Sequence, residues 1–193
     1  MSALARLKAY AAHGDPLVAA SNTIALLIAS NQPFYPLYIW WLAGEEAARI
    51  ALLTWFSTPL FCAVPTVARL DARAGRALVV IAGAANTFIC AKAFGPQSAV
   101  ELFLAPCAMV AALAFRKSEA GVAGLLLGAG FAAFALLHSR YGAPLLSLTP
   151  AQTDALVWLN VYSVAGLTAL IGWTYAGAHT ALGDPREPGD QST

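Results

Sequence analysis

The chain has 193 residues, of which 59% are hydrophobic and 11% are charged, whereas a soluble domain carries about 25% charged residues. This deficit excludes a soluble globular protein. Eleven Lys and Arg against ten Asp and Glu leave a net charge of +1, which excludes a basic surface for nucleic acid. A membrane helix needs about 20 apolar residues, so the long apolar runs predict an all-α polytopic membrane protein with six transmembrane helices.

Residues 1–15 are predicted to form an amphipathic segment on the inner leaflet of the membrane. Apolar side chains recur at helical spacing on one side of this segment, and Arg6 and Lys8 lie on the other. Asp15 then has the position of a helix N-cap, and Pro16 has that of a first helical residue. The first membrane span is therefore predicted to begin at Pro16.

Residues 16–178 are predicted to form a six-helix transmembrane domain. Polar turns and prolines separate its apolar runs, and Pro33 and Pro36 are expected to kink the first span. The predicted spans cover residues 16–41, 47–68, 77–94, 98–115, 120–139 and 150–178. The remaining residues, 179–193, are polar and rich in proline, so we predict a disordered C-terminal tail.

The Lys and Arg residues beside the spans predict the orientation of the domain. With the N-terminus inside, eight of them lie on the inner side and three on the outer side. The inner set is Arg6, Lys8, Arg69, Arg73, Arg76, Arg116, Lys117 and Arg186, and the outer set is Arg49, Lys92 and Arg140. Because Lys and Arg concentrate on the cytoplasmic side, we predict that both termini are cytoplasmic.

Ionisable residues inside a membrane are costly and mark candidate functional sites. Lys92 and Glu101 flank the turn at Gly95, so they either form an ion pair that fixes a helical hairpin or contribute to an outward-facing polar pocket. The candidate ligand-binding residues of this pocket are Glu101, Lys92, Cys90, His138, Arg140 and Asn86. No Cys or His pair has the spacing of a metal motif, so we expect neither a metal ion nor a cofactor.

Two further patterns concern helix packing. One amide lies in each of three spans, at Asn22, Asn86 and Asn160. These amides are expected either to form interhelical hydrogen bonds or to line a polar pathway. Gly124 and Gly128 form a G-x-x-x-G pattern, which lets helices approach closely. That pattern is expected to serve either packing within the bundle or a homodimer.

Motifs for catalysis are lacking in this sequence. It has no G-x-S-x-G, H-E-x-x-H or P-loop motif. The aspartates all lie at span ends or in loops, so the paired carboxylates of an intramembrane protease are lacking too. We therefore predict that the protein is not an enzyme.

The third to fifth spans contain a glycine turn, a phenylalanine-containing span and a closing F-x-x-x-E segment. The residues concerned are Gly95, Ser98, Phe103, Leu104, Pro106, Phe115 and Glu119. This arrangement resembles the six-helix N-terminal membrane domains of bacterial nucleotidyl cyclases, diguanylate cyclases and histidine kinases. The resemblance implies a sensory module in the bacterial inner membrane, here without an output domain.

The sequence therefore predicts a non-enzymatic membrane sensor or interaction module that acts through a separate partner protein. Charge concentrates on the short inner loops, which are the candidate surface for that partner: Arg69, Arg73, Arg76, Arg116 and Lys117. Two alternatives remain open. One is a small transporter in which Glu101 titrates, and the other is an accessory subunit of a larger membrane complex.

Overall fold

A computed structural model describes residues 3–138 and 140–183, and within these residues all regular structure is helical. This confirms the all-α prediction. Short 3-10 segments connect several of the α-helices. The α-helices are α1 (Ala3–Ala11), α2 (Pro16–Asn31), α3 (Tyr35–Ala43), α4 (Glu45–Ala51), α5 (Thr58–Leu70), α6 (Ala72–Phe94), α7 (Leu104–Leu113), α8 (Ala120–Leu137) and α9 (Pro150–Gly183).

Four helical segments in the described part are long and apolar enough to cross a membrane. They are Glu45–Leu70, Ala72–Phe94, Lys117–Leu137 and Pro150–Gly183, and they correspond to the second, third, fifth and sixth predicted spans. The last helix continues to Gly183, so residues 179–183 are helical rather than part of a tail. The rest of the predicted tail lies outside the described residues.

The first and fourth predicted spans have a different form. A 3-10 turn, Gln32–Phe34, separates α2 from α3 at the position where two prolines were expected to kink the helix. The fourth contains only a short apolar helix, Val100–Leu113, which is about 21 Å long at 1.5 Å per residue. This length is less than the roughly 30 Å of a bilayer's hydrocarbon core.

Side-chain caps fix where three of the helices begin. The Asp15 carboxylate accepts a hydrogen bond from the Leu17 N–H at 2.9 Å, which caps α2 as predicted. The Asp71 carboxylate caps α6 in the same way. Thr149 and Gln152 form a capping box before α9, with reciprocal bonds of 2.9 and 3.3 Å. Each cap satisfies N–H groups that have no partner within their own helix.

The main core lies between α2, α5, α6, α7 and α9, and small residues let several of these helices approach closely. The tightest approach is at Gly75, where a Cβ atom would lie 2.6 Å from Cα of Ala68. Helix α8 packs on the outside of the bundle and buries none of its residues. We call the end at which α6 begins the Arg76 end, and the end at which it stops the Gly95 end.

The two glycines of the G-x-x-x-G pattern do not serve close packing within the described chain. A Cβ atom added at Gly124 or Gly128 would meet nothing within 4 Å. The expected intramolecular contact is therefore absent at these positions. The homodimer remains a prediction.

Candidate functional site

A buried cluster of charges joins three parts of the chain at the Arg76 end. The Arg76 guanidinium donates two hydrogen bonds to the Glu119 carboxylate, at 2.7 and 2.8 Å, and one to the Ala114 carbonyl at 2.7 Å. Glu119 also accepts from Nε of Arg73 and from the Arg116 N–H, both at 3.0 Å. Paired and fully bonded, these charges can stay in the protein interior.

This geometry changes the predicted partner surface. Arg76 is only 1% exposed and its donors face the protein, so it is not available to a partner. Arg69, Arg73, Arg116 and Lys117 are exposed. Arg69 donates to the Tyr10 carbonyl at 2.9 Å and thereby holds α1 against α5. The predicted partner surface is therefore reduced to these four exposed cations, and the partner itself remains a prediction.

Asp15 links the first helices to this cluster. Its second carboxylate oxygen accepts a hydrogen bond from Arg116 at 2.8 Å. Partial burial by itself would raise the pKa of Asp15, but the bonds from Arg116 and from the Leu17 N–H outweigh it. The pKa of Asp15 is therefore below its ordinary value of 3.8.

At the Gly95 end, Lys92 and Glu101 do not pair with each other. The Lys92 ammonium donates to the carbonyls of Tyr141 and Ala143, at 2.9 and 2.8 Å. Glu101 instead contacts Nδ1 of His138 at 2.6 Å. The expected ion pair is thus replaced by two separate attachments of the α8–α9 connection to the bundle.

The Glu101 carboxylate also accepts a hydrogen bond from the Tyr141 hydroxyl at 2.8 Å. Desolvation raises the pKa of Tyr141, and this bond and the charge of Glu101 raise it further. Glu101 and His138 lie at one end of a groove of about 920 Å³ between α6, α7 and α8. Arg140 is exposed and does not line this groove.

A second cavity, of about 430 Å³, lies in the centre of the bundle. This volume is within the range of about 300–1,000 Å³ that is usual for small-molecule sites. Asn86 and Cys90, one helical turn apart on α6, both line it. Four of the six predicted ligand-binding residues therefore lie at a cavity or groove, but they are divided between two.

Uncharged polar groups form a hydrogen-bonded cluster in the wall of the central cavity. The Gln32 amide donates to Oγ of Ser57 at 2.5 Å and accepts from the Thr58 hydroxyl. Oγ of Ser57 lies 2.9 Å from Oδ1 of Asn86 and 2.8 Å from the Thr54 carbonyl. This cluster connects the end of α2 to the start of α5 and to the middle of α6.

The polar side chains are concentrated in the half of the cavity nearer the Gly95 end. Along α6 the lining changes from Val79 and Val80 to Asn86, Thr87 and Cys90. The lining residues of α2 and α3 change in the same direction: Ile24, Leu27, Ile28, Asn31, Gln32, Tyr35 and Tyr38. The cavity therefore has a polar end and a hydrocarbon end.

The central cavity is open at one side. Its exposed lining residues are Leu27, Asn31 and Tyr38 on one edge and Ser163 and Gly166 on the other. The opening thus lies between α2–α3 and α9, on the side of the bundle. Such an opening suits a ligand that arrives through a bilayer rather than from water.

The amides of the spans act as links between elements. Asn22 donates to the Ala11 carbonyl at 3.0 Å, and Asn160 donates to the Ser98 carbonyl at 2.8 Å.

Gln32 and Ser57 were not among the predicted site residues. The signal for Gln32 was present, because an amide pair at 31–32 interrupts an apolar run. Ser57 carried no distinguishing signal.

Within the ranges that the structure describes, no group of three His, Cys, Asp or Glu side chains is placed to hold a metal ion. Comparison of the chain with family models, with curated proteins and with solved structures found no match. The function must therefore be argued from the geometry of the cavities and the charged clusters.

Proposed function

We propose that this chain is a six-span protein of the bacterial inner membrane that binds a small molecule in the central cavity and acts, without catalysis, through a separate partner protein. The observation that carries the proposal is the cavity itself. It lies inside the bundle, has a polar and an apolar end, and opens to the side. A bundle that needed only stability would close such a space, because buried voids are destabilising.

In this proposal the two shorter elements complete a six-span bundle. The α2–α3 pair and the Val100–Leu113 helix pack against the longer helices. The excess of Lys and Arg at the Arg76 end supports a cytoplasmic location for that end and for both termini. The polar end of the cavity then lies in the outer half of the membrane.

The orientation is tested with a membrane-impermeant maleimide on intact cells. Arg140→Cys should be labelled in intact cells, and Lys117→Cys only after the membrane is permeabilised. Both positions are exposed in loops at opposite ends of the bundle. Labelling of Lys117→Cys in intact cells would contradict the proposed orientation.

The sensing role requires that occupancy of the cavity alters what binds at the Arg76 end. Gly166 lines the cavity at its opening, and a Cβ atom added there would meet nothing within 4 Å, so Gly166→Phe is chosen to place a bulky side chain at the opening. A Cβ atom added at Gly177, on the same helix, would also meet nothing within 4 Å, but Gly177 does not line the cavity. Gly177→Phe is therefore the matched control.

The measurement is the amount of each protein recovered with the chain after cross-linking in native membranes. We expect recovery of one partner to change at least about threefold in Gly166→Phe and not in Gly177→Phe. That partner should be lost when Arg73 and Lys117 are both changed to Gln, because exposed charges guide association. Equal recovery in all variants would contradict the sensing role.

A small transporter is the second candidate, and the Gly95 end favours it. The Glu101 side chain is 9% exposed and lies with His138 at the end of the large groove. Titratable groups in such positions mark ion and substrate pathways. The transporter predicts pH-driven flux in proteoliposomes that is abolished by Glu101→Gln. The sensor predicts no such flux from the wild-type protein.

A further inference from the structure

The lining of the central cavity restricts the charge of its ligand. All the lining residues that the structure describes are uncharged; the polar ones are amides, hydroxyls and thiols. A buried ion without a partner of opposite charge loses several kcal/mol of solvation. The charged clusters at the two ends of the bundle, Arg76 with Glu119 and Glu101 with His138, are engaged in hydrogen bonds of their own. A charged ligand would therefore find no compensation in this cavity.

The hydrogen-bond pattern of Asn86 supplies a specific polar contact. Oγ of Ser57 has a single proton and lies within bonding distance of both the Thr54 carbonyl and the Asn86 amide. Whichever of these it donates to, only one polar atom of the Asn86 amide is engaged, because Ser57 is its only hydrogen-bond partner in the described chain. The other atom is left for a ligand group in the cavity.

The remaining wall suits a hydrocarbon chain. From Asn86 towards the Arg76 end, α6 contributes Val79 and Val80 to the lining, and α9 contributes Leu167, Leu170 and Ile171. The lining of α6 runs from residue 79 to residue 90, which is about 16 Å at 1.5 Å per residue. The cavity is thus an elongated space with one polar end, inside a bundle that opens to the side.

Resting on the proposed function, we propose that the central cavity binds an uncharged amphiphile. A hydroxyl or carbonyl group of the ligand bonds to Asn86, and its hydrocarbon chain points towards the Arg76 end. A hydroxyl group can donate and accept, so it matches either orientation of the amide. Membrane lipids with charged headgroups are excluded by the absence of charge in the lining.

The test uses four probes with the same chain length: dodecanol, dodecanoate, dodecylammonium and dodecane. The protein is placed in nanodiscs that contain equal mole fractions of each probe at neutral pH, and native mass spectrometry measures the fraction of protein that carries the probe. We expect dodecanol to bind about 100-fold or more tightly than either ion. Dodecane, which lacks the hydrogen bond, should bind about 3- to 15-fold more weakly than dodecanol.

Three variants separate binding from folding. Asn86→Leu should remove the advantage of dodecanol over dodecane while dodecane still binds. Ser57→Ala breaks the same interhelical link but leaves the Asn86 amide, so the advantage should persist. Gly166→Phe should abolish binding of both, and Gly177→Phe should not.

Equal binding of dodecanol and either ion would overturn the proposed ligand class, as would a dodecanol advantage that survives Asn86→Leu. These outcomes are distinct from a failure of the sensing role. If Gly166→Phe does not change the recovery of the partner but the protein binds dodecanol more tightly than the two ions, only the sensing role is contradicted. If Gly166→Phe changes the recovery of the partner but charged and uncharged probes bind equally tightly, only the proposed ligand class is contradicted.

Discussion

The Arg76 end and the central cavity use polar side chains in opposite ways. At the Arg76 end, a guanidinium and a carboxylate are both buried, and six hydrogen bonds converge on them from α6 and the 114–119 segment. In the cavity the polar groups are uncharged, and at Asn86 one of them is left incompletely bonded. The first region is closed and holds elements together, whereas the second is open and has groups available for a ligand.

This contrast indicates which residues of an apolar bundle are available to bind a ligand. A buried charge is tolerated only when its partners are already present, and the two buried charged residues in the described part of the chain, Arg76 and Glu119, bond to each other. Neutral amides and hydroxyls cost less to leave partly unbonded. The candidate binding site is therefore found among the uncharged polar residues rather than among the ionisable ones.

The largest effect is expected from breaking the buried ion pair. Arg76→Met leaves Glu119 buried with only Arg73 and a backbone N–H, which should lower the free energy of unfolding by about 3–5 kcal/mol. Arg73 donates to the same carboxylate, but its side chain is 68% exposed, so Arg73→Met should cost less than about 1 kcal/mol. Equilibrium unfolding in mixed micelles measures both. Equal losses of unfolding free energy in the two variants would mean that burial of the arginine does not determine its contribution to the stability of the cluster.

The next effect concerns glycine packing near the same end. Gly75→Ala forces a methyl group against Ala68, and overpacking of this kind typically costs about 1–3 kcal/mol. Gly128→Ala adds its methyl group in open space and should leave the free energy of unfolding unchanged or slightly raised. The same unfolding titration compares the two variants. A larger loss at Gly128 would show that α8 packs against something else in the membrane.

A smaller effect is expected at Asp15, which both caps α2 and bonds to Arg116. Asp15→Ala should lower the free energy of unfolding by about 0.5–2 kcal/mol, the usual cost of losing an N-cap. Asp15→Asn keeps a capping oxygen and loses only the charge, so it should be the milder variant. Unfolding of both at neutral pH checks this order.

The pH dependence of Asp15 has a defined sign. Its pKa is lower in the folded protein than the ordinary value of 3.8, so the folded state binds fewer protons at this carboxylate than the unfolded state does. The stabilisation is therefore complete above pH 3.8 and is lost as the pH falls through the lowered value. The difference in stability between wild type and Asp15→Asn should shrink over that range. A difference that grows on acidification would contradict the assignment.

The smallest effect is expected in the cavity wall. Ser57→Ala removes the contacts to Gln32 and Asn86, and interhelical hydrogen bonds in membrane proteins contribute about 0.6 kcal/mol on average. Thr23→Ala is the control, because the Thr23 hydroxyl bonds only to the Ala19 carbonyl of its own helix. A loss at Ser57 as large as that at Arg76 would remove the contrast between the two regions.

Local chemistry explains what the sequence could predict of the fold. The cap at Asp15 and the capping box at Thr149 and Gln152 involve residues two or three positions apart, so their pattern is visible in the chain. The four long apolar helices are visible for the same reason. The short helix α7 was predicted as a full span because the sequence does not distinguish the two 3-10 segments before it from the apolar run that contains the helix.

Contacts between distant residues explain what the sequence could not predict of the site. Arg76 lies 43 residues from Glu119, and nothing near Arg76 in the chain distinguishes it from the exposed Arg73. Lys92 and Glu101 were correctly placed near one turn, but their side chains reach partners in the loop after α8. Asn86 and Cys90 line the same cavity because positions four apart lie on the same face of a helix, whereas Glu101 and His138, predicted for the same pocket, lie at the other groove.

If the bundle holds a small molecule in its central cavity, that molecule should be recovered with the protein. The most direct measurement extracts the protein from native membranes in polymer-bounded nanodiscs and identifies the retained small molecules by mass spectrometry. We expect an uncharged amphiphile that copurifies with wild type and with Gly177→Phe and is lost in Gly166→Phe. Identical small-molecule content in all three proteins, or a retained molecule that is charged, would contradict it.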